Sequence, residues 1–337
     1  MKQAQKGGGG SDGGKEADHF GASPRARLSS LTVGNIACAP PFVAPSLRRF
    51  PPRAFELIAL DEVMPDAENL NSMSTHQSTR MIDDRFHYGA PEHAFYETNG
   101  YHLFDHFLTD DAVAECRGRI DAMLNRLHPE VPPDEMIGTH QQGPWVFELA
   151  TQQKVLDMIE RQIGPDIVLW ATHLLCKPPR TGQLIPWHQD APYWNVKGRF
   201  GASAWIAFDD IDEDNGAMSV VPQWHRRGTL PIQDSQFVKG FTQEIVPSAL
   251  PEDVGDRRVA YIINAGRMAI HDVMIPHNSP PNVSDRWRRV LVLRYIAADA
   301  EIGPKTYTNY TTGEPFEREP FLVRGRDVKN LGLRCHP

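Results

Sequence analysis

Cysteines and long apolar runs are scarce in this sequence, and both absences narrow the class of protein. Only four cysteines occur in 337 residues, and they are scattered with no C-x-x-C pair. This pattern argues against a disulfide framework or a zinc site and is typical of a reducing compartment. No apolar stretch approaches the roughly 20 residues that span a bilayer. We therefore expect a soluble, cytoplasmic protein without a membrane partner.

The sequence also has fewer basic residues than acidic ones. Lysine and arginine together number 35 against 43 aspartates and glutamates, which gives a formal net charge of -8 at pH 7. Binding to nucleic-acid phosphates needs a net or clustered positive surface, so no nucleic-acid partner is expected. The H-E-x-x-H and G-x-S-x-G motifs and a phosphate-binding glycine loop are absent as well. We expect a small-molecule substrate and a monomer or homodimer.

The first 80 residues differ in composition from the rest of the chain. The glycine run Gly7-Gly8-Gly9-Gly10 is followed by a proline-rich stretch with little helix or strand periodicity. Such a segment buries too little apolar surface to offset its conformational entropy. Residues 1–80 are therefore expected to be a disordered N-terminal extension; translation that starts at Met73 or Met81 is a sharper hypothesis.

Two helices followed by many short strands are predicted after this extension. Thr109 fits a helix N-cap, and a second helix is predicted over residues 151–163 with Gly164 just beyond its end. From Ile167 onward, short β-type runs alternate with turn signals, and the strand candidates are residues 167–177, 202–208, 217–221, 259–263, 267–270 and 289–296. Many short strands without alternating helices predict a mainly β sandwich or barrel with flanking helices.

The stretch Trp187-His188-Gln189-Asp190 carries a candidate metal site. Side chains two residues apart on an extended chain point to the same face, so His188 and Asp190 can reach one ion. Together they supply two corners of the 2-His-1-carboxylate triad of non-haem Fe(II) oxygenases. His277 is the preferred third ligand, because a hydroxyl follows it at position 279 and a guanidinium at position 288. His271 is the alternative, and it lacks both of these followers.

Arg288 suggests what the metal site would bind. A guanidinium binds a carboxylate through two parallel hydrogen bonds. A 2-oxoacid with two carboxylates would chelate the iron at one end and pair with Arg288 at the other. The alternative is that His277 lies in an exposed proline-rich loop and that Arg288 belongs to a solvated basic face.

Four blocks taken together resemble the phytanoyl-CoA dioxygenase family of Fe(II)/2-oxoglutarate-dependent oxygenases. The blocks, which span roughly residues 96–296, are Lys177-Pro178-Pro179, Trp187-His188-Gln189-Asp190, Ala204-Trp205 to His225, and His277-Asn278-Ser279 to Arg288. The resemblance implies a double-stranded β-helix, a jelly-roll, cupin-like core. We expect an oxygenase domain over residues 90–300, followed by a C-terminal tail or lid over residues 301–337 that includes Tyr307.

The resemblance further assigns roles to single residues. It implies that Fe(II) is bound by His188, Asp190 and His277. It places Arg288 on the distal carboxylate of 2-oxoglutarate, with Ser279 beside it and with Trp205 and His173 lining the co-substrate pocket. For Trp205, plain core packing is the alternative. The substrate is expected beside Tyr193, Trp194 and Asn195, unless these residues are ordinary surface.

The implied reaction consumes O2 and 2-oxoglutarate, releases succinate and CO2, and hydroxylates an unactivated C–H bond of a small organic molecule. Asp190 favours hydroxylation, because related halogenases carry a small residue at that position. Desaturation and ring formation are alternative outcomes. Two other functions remain open at this stage: a cupin-like metal enzyme that uses no 2-oxoglutarate, and a catalytically silent β-barrel binding protein.

Overall fold

The structure, a computed structural model, describes residues 80–194, 196–197, 201–235, 243–302 and 306–335. Apart from Arg80, the predicted N-terminal extension lies outside the described residues. Every described residue belongs to one compact unit, Ala67–Pro337.

Both predicted helices are present. The helices are α1 (Ala90–Asn99), α2 (Asp110–Leu124), α3 (Thr139–Gln142), α4 (Pro144–Ala150), α5 (Gln153–Ile163), α6 (Asp190–Trp194) and α7 (Val254–Arg257). The predicted cap of α2 is confirmed, because Thr109 Oγ1 accepts a hydrogen bond of 3.2 Å from the N–H of Ala112. The predicted end of α5 at Gly164 is confirmed as well. Helices α2 and α5 are the two predicted ones, whereas α1, α3, α4, α6 and α7 were not predicted.

The strands have two to eleven residues, and the four longest agree with the predicted strands to within two residues at each end. They are β1 (Tyr101–Phe104), β2 (Met136–Ile137), β3 (Ile167–Lys177), β4 (Ile185–His188), β5 (Val196–Lys197), β6 (Gly201–Ala207), β7 (Ser219–Val220), β8 (Ile232–Asp234), β9 (Gln243–Ile245), β10 (Val259–Ala260), β11 (Met268–Asp272), β12 (His277–Ser279), β13 (Arg288–Ala297), β14 (Glu301–Ile302), β15 (Thr306–Thr308), β16 (Pro315–Glu317), β17 (Phe321–Arg324) and β18 (Arg334–Cys335).

Two sheets make up the barrel. The larger has the order β1-β11-β6-β13-β3-β17-β18, with β2 also paired to β3, and the smaller has the order β10-β7-β12-β4. Along the chain, β3, β6, β11 and β13 of the larger sheet alternate with β4, β7, β10 and β12 of the smaller one, and β8 and β9 pair with each other in a separate two-stranded sheet. The chain thus winds back and forth between two antiparallel sheets, which is the jelly-roll or double-stranded β-helix arrangement. The predicted fold class is confirmed.

Alternate side chains along β13 belong to two different hydrophobic cores. Leu291 and Leu293 belong to the cluster formed with α2, α4 and α5, which covers the outer face of the larger sheet. Val290 and Val292 belong to a second cluster, formed with residues of the smaller sheet inside the barrel. Because successive side chains of a strand point to opposite faces, Arg294 shares the inner face with Val290 and Val292. Strand β13 therefore carries charged side chains into the barrel interior.

The C-terminal segment contributes to the same sheet. Strand β17 pairs with β3, and Leu322 on it is buried. Tyr310 is buried in the cluster that covers the outer face of the larger sheet. The domain boundaries at residues 90 and 300 stay a prediction. Among the described residues, no helix has both the length and the apolar composition needed to cross a membrane.

The Thr109 cap gives a stability prediction. Thr109→Ala removes the acceptor for the N–H of Ala112, so the free energy of unfolding measured with urea should fall by about 1 kcal/mol. Thr109→Ser keeps a hydroxyl at the cap and should retain most of that stability. Equal stability of the two variants would contradict a capping role.

Candidate metal centre

Two histidines lie opposite each other in the smaller sheet. His188 ends β4, His277 begins β12, and the antiparallel register pairs them directly, with ring centroids 4.0 Å apart. The Nδ1 atom of each ring is within hydrogen-bonding distance of a carbonyl two residues earlier, at 2.8 Å from Pro186 O and 3.0 Å from Ile275 O. If Nδ1 carries the proton as donor, the lone pair of Nε2 becomes the metal-binding atom of each ring.

Asp190 brings a carboxylate to this pair. It begins α6, two residues after His188. One ligand atom each from His188, Asp190 and His277 lie within 4.8 Å of one another, and all three side chains are buried. Across the described ranges, no other cluster of three or more histidine, cysteine or acidic residues is close enough to hold a metal ion. Two imidazoles and one carboxylate suit a divalent transition metal and leave coordination positions open.

His271, the alternative ligand, lies outside this cluster. It is on β11 in the larger sheet, and its Nε2 is 3.9 Å from Asp190 Oδ2. Burial lowers the pKa of His271 to about 3, so the ring is neutral at physiological pH. The geometry therefore favours His277 over His271 as the third donor.

Burial keeps the two paired histidines in the neutral form. It lowers the pKa of His188 well below the usual 6.5, with a further contribution from His277, and it also lowers the pKa of His277. Burial alone would raise the pKa of Asp190, but nearby positive charge, chiefly that of Arg294, holds it below the ordinary value. Neutral imidazole and ionised carboxylate are the forms that bind a metal ion.

The cluster lies on the wall of a cavity of about 330 Å³ between the two sheets. This volume is near the lower end of the roughly 300–1,000 Å³ range of ligand pockets. Tyr307, from the C-terminal segment, lines it. The side chain of Tyr193 and all of Asn195 lie outside the described residues. The remaining predicted site residues line the cavity together: His173, His188, Asp190, Trp194, Trp205, His277, Ser279 and Arg288.

Arg288 is buried in the cavity wall, and no acidic residue of the described ranges forms an ion pair with it within 4.0 Å. Its exposed fraction is 1%, and its Nε and Nη2 atoms have no hydrogen-bond partner. Burial lowers the pKa of Arg288 to about 10, so the guanidinium stays charged at neutral pH. Beside it, the buried Nε1 of Trp205 also lacks a partner, with the ring centre 6.0 Å from Arg288 Cζ. Buried donors of this kind are costly unless a ligand satisfies them, and an anion would satisfy the guanidinium.

Two other predicted residues make specific hydrogen bonds at the cavity wall. Ser279 Oγ donates to Gly216 O at 2.9 Å, so its proton points to the backbone in this structure. His173 Nε2 is 3.0 Å from Asp134 O. The buried Lys177 donates from Nζ to Ser279 O at 3.0 Å, which holds the end of β12 in place.

Two residues near Asp190 were not predicted from the sequence. The register of the larger sheet sets His271, Ser203 and Arg294 side by side across β11, β6 and β13. Ser203 Oγ donates to Asp190 Oδ2 at 3.2 Å, and Arg294 Nε lies 3.7 Å from the same oxygen. The only sequence signal for Arg294 is its even spacing from Arg288 along β13, because residues an even number apart share a face.

The sequence is similar to those of known dioxygenases and hydroxylases. The family model for "Phytanoyl-CoA dioxygenase (PhyH)" matches residues 96–290. The chain is 27% identical over 188 residues to a probable alpha-ketoglutarate-dependent hypophosphite dioxygenase of Stutzerimonas stutzeri, covering 54% of this chain and 62% of the relative. It is 24% identical over 275 residues to the L-proline trans-4-hydroxylase of Streptomyces griseoviridis, covering 73% and 93%.

A solved structure shows the same fold. The apo form of the non-heme monooxygenase ThoJ superposes with a TM-score of 0.55 at 26% sequence identity. The match covers 70% of this chain and 84% of ThoJ.

The lowered histidine pKa values predict how metal binding depends on pH. A proton competes with the metal for Nε2 only below the pKa of each ring, and burial places the pKa of both His188 and His277 below 6.5. Ni(II) affinity, measured by calorimetry, should therefore stay nearly constant as the pH falls from 8 to about 6.5 and decrease only at lower pH. A steep loss of affinity that begins above pH 6.5 would contradict neutral, buried ligands.

Proposed function

Because the chain belongs to the phytanoyl-CoA dioxygenase family, we propose that it hydroxylates an unactivated C–H bond of a small organic molecule. Its relatives are hydroxylases and dioxygenases of the Fe(II)/2-oxoglutarate class, and the chain is an enzyme of this class. The proposed reaction uses O2 and 2-oxoglutarate and yields the alcohol, succinate and CO2. One oxygen atom enters the alcohol and the other enters succinate.

In this proposal each part of the cavity has one task. His188, Asp190 and His277 hold Fe(II), which supplies the coupling of O2 reduction to 2-oxoglutarate decarboxylation and substrate oxidation. Arg288 binds the distal carboxylate of 2-oxoglutarate, and Trp205 packs beside it. The Nδ1–carbonyl hydrogen bonds orient the two histidine ligands.

The observation that carries the proposal is the pairing of this donor cluster with a buried, unpaired guanidinium in one cavity. A cupin-like enzyme that does not use 2-oxoglutarate has no evident need for Arg288 in this position. A silent binding protein has no need for three metal donors with open coordination. Both alternatives explain less of the cavity than the oxygenase does.

A small substrate fits the cavity better than a large one. About 330 Å³ has to hold both 2-oxoglutarate and the reacting part of the substrate. The names of the relatives refer to substrates as different as hypophosphite and L-proline, so the family name does not identify the substrate here. Trp194 and Tyr307 line the cavity and are proposed to contact the substrate. Tyr193 and Asn195 stay predictions for the same role.

The direct test is spectroscopic. Anaerobic addition of Fe(II) and 2-oxoglutarate should produce a weak visible metal-to-ligand charge-transfer band, because the ketoacid chelates the iron. Asp190→Ala should lose this band together with metal affinity. A wild-type protein that binds Fe(II) but shows no band with 2-oxoglutarate would rule out the proposed co-substrate.

The substitution Arg288→Met distinguishes the effect of the guanidinium on ligand binding from its effect on the stability of the fold. Loss of the guanidinium should weaken 2-oxoglutarate binding by about 2–5 kcal/mol, as is typical when one partner of a buried charge pair is truncated. Without ligand, the same variant should be as stable as the wild type or more stable, because an unpaired buried charge is replaced by an apolar chain.

Arg161→Met is the matched control for this variant. Arg161 is exposed on α5, so its loss changes the net charge equally and leaves the cavity intact. Titration of the charge-transfer band measures the affinity for 2-oxoglutarate, and urea denaturation measures the stability. Unchanged 2-oxoglutarate affinity in Arg288→Met would show that the guanidinium binds something else.

A further inference from the structure

A second guanidinium, that of Arg294, lines the same cavity as Arg288. Its side chain is 14% exposed, and its Nε atom is buried without a hydrogen-bond partner. Among the ion pairs of the described residues, its only acidic neighbour is Asp190, with 3.7 Å between Nε and Oδ2. That distance is too long for a hydrogen bond. Arg294 therefore has hydrogen-bonding capacity that faces the cavity and is not used by Asp190.

Orientation of Asp190 does not account for Arg294. Ser203 Oγ already donates to Asp190 Oδ2 at 3.2 Å, from the neighbouring strand of the same sheet. The indole ring of Trp194 is centred 5.7 Å from Arg294 Cζ, which leaves an aromatic face beside the guanidinium. A cation next to an apolar wall suits a ligand with one anionic end and one carbon-rich end.

The charge balance of the loaded site points the same way, on the premise that the proposed function is correct. The charges of a divalent metal ion and Arg288 equal and oppose those of Asp190 and doubly ionised 2-oxoglutarate. Two further acids line the cavity, Asp134 and Glu135, and neither lies within 4.0 Å of Arg294. The charge of Asp134 acts on Lys177 and Arg288. Among the described residues, Asp190 is then the only acid within ion-pair distance of Arg294, and its charge is shared with the metal ion, so the guanidinium keeps the capacity to bind a second anion.

We propose that Arg294 binds the substrate, and that the substrate carries a carboxylate or another compact oxoanion close to the reacting carbon. Strand β13 thus presents two anion receptors on one face, Arg288 for the co-substrate and Arg294 for the substrate. Because Arg294 lies against Asp190, an anion held there places the neighbouring carbon atoms of the substrate beside the metal ligands. The receptor nearest the metal sets both the class of substrate and the position that is oxidised.

The test measures anion binding to the complex with Ni(II) and 2-oxoglutarate, which does not turn over. The probes are acetate, butyrate and benzoate, each compared with its primary amide at constant ionic strength. Saturable increases in Tm give the dissociation constants. At least one carboxylate should bind, and its amide should bind at least tenfold more weakly. Arg294→Met should weaken carboxylate binding at least tenfold, whereas Arg161→Met, with the same loss of charge, should leave it unchanged.

Each other outcome contradicts the proposal. Wild-type protein that binds no carboxylate, or binds the amides equally well, rules out an anion receptor, and this readout does not require any variant to fold. Carboxylate binding that survives in Arg294→Met places the receptor elsewhere. If Arg294→Met instead weakens 2-oxoglutarate binding, Arg294 belongs to the co-substrate site.

Binding of 2-oxoglutarate is measured first on every sample, which separates the two proposals. Protein that binds 2-oxoglutarate but no carboxylate contradicts only the role of Arg294. Protein that binds no 2-oxoglutarate contradicts the proposed function itself.

Discussion

The antiparallel pairing of β4 with β12 is the constraint on which the site depends. It sets His188 opposite His277, and a backbone carbonyl two residues before each histidine fixes the orientation of its ring. A slip of one residue would turn one imidazole to the opposite face of the sheet and separate the donors. The register becomes irregular immediately after His277, towards Ser279, so the regular pairing is confined to the segment that positions the ligands.

The barrel interior pairs this donor set with two guanidinium groups whose hydrogen-bonding capacity is not fully used. Arg288 and Arg294 project from one strand into a largely apolar cavity, and neither guanidinium has a hydrogen-bonded acid among the described residues. Burying such groups lowers the stability of the ligand-free protein. Anionic ligands recover this cost when they bind, so the same charges that weaken the fold provide affinity for 2-oxoglutarate and, by our proposal, for the substrate.

Local signals predicted a good part of the fold. The cap at Thr109, the end of a helix at Gly164 and the long, largely apolar run of β3 are short-range features, and the structure has all three. Helix α1 was missed because only Tyr96 on it is buried, which leaves almost no apolar periodicity to detect. Helices α3 and α4 have four and seven residues and meet at Gly143, and segments this short show little periodicity in the sequence.

By itself, the sequence determined which residues were candidates for the site. The two-residue spacing of His188 and Asp190 and the hydroxyl and guanidinium after His277 are visible without coordinates. The sequence also favoured His277 over His271, but only the tertiary structure brings His277 next to the first pair and sets Arg294 against Asp190. These contacts depend on sheet register and on strand order. Both arise from pairing between distant segments, so the local sequence does not show them.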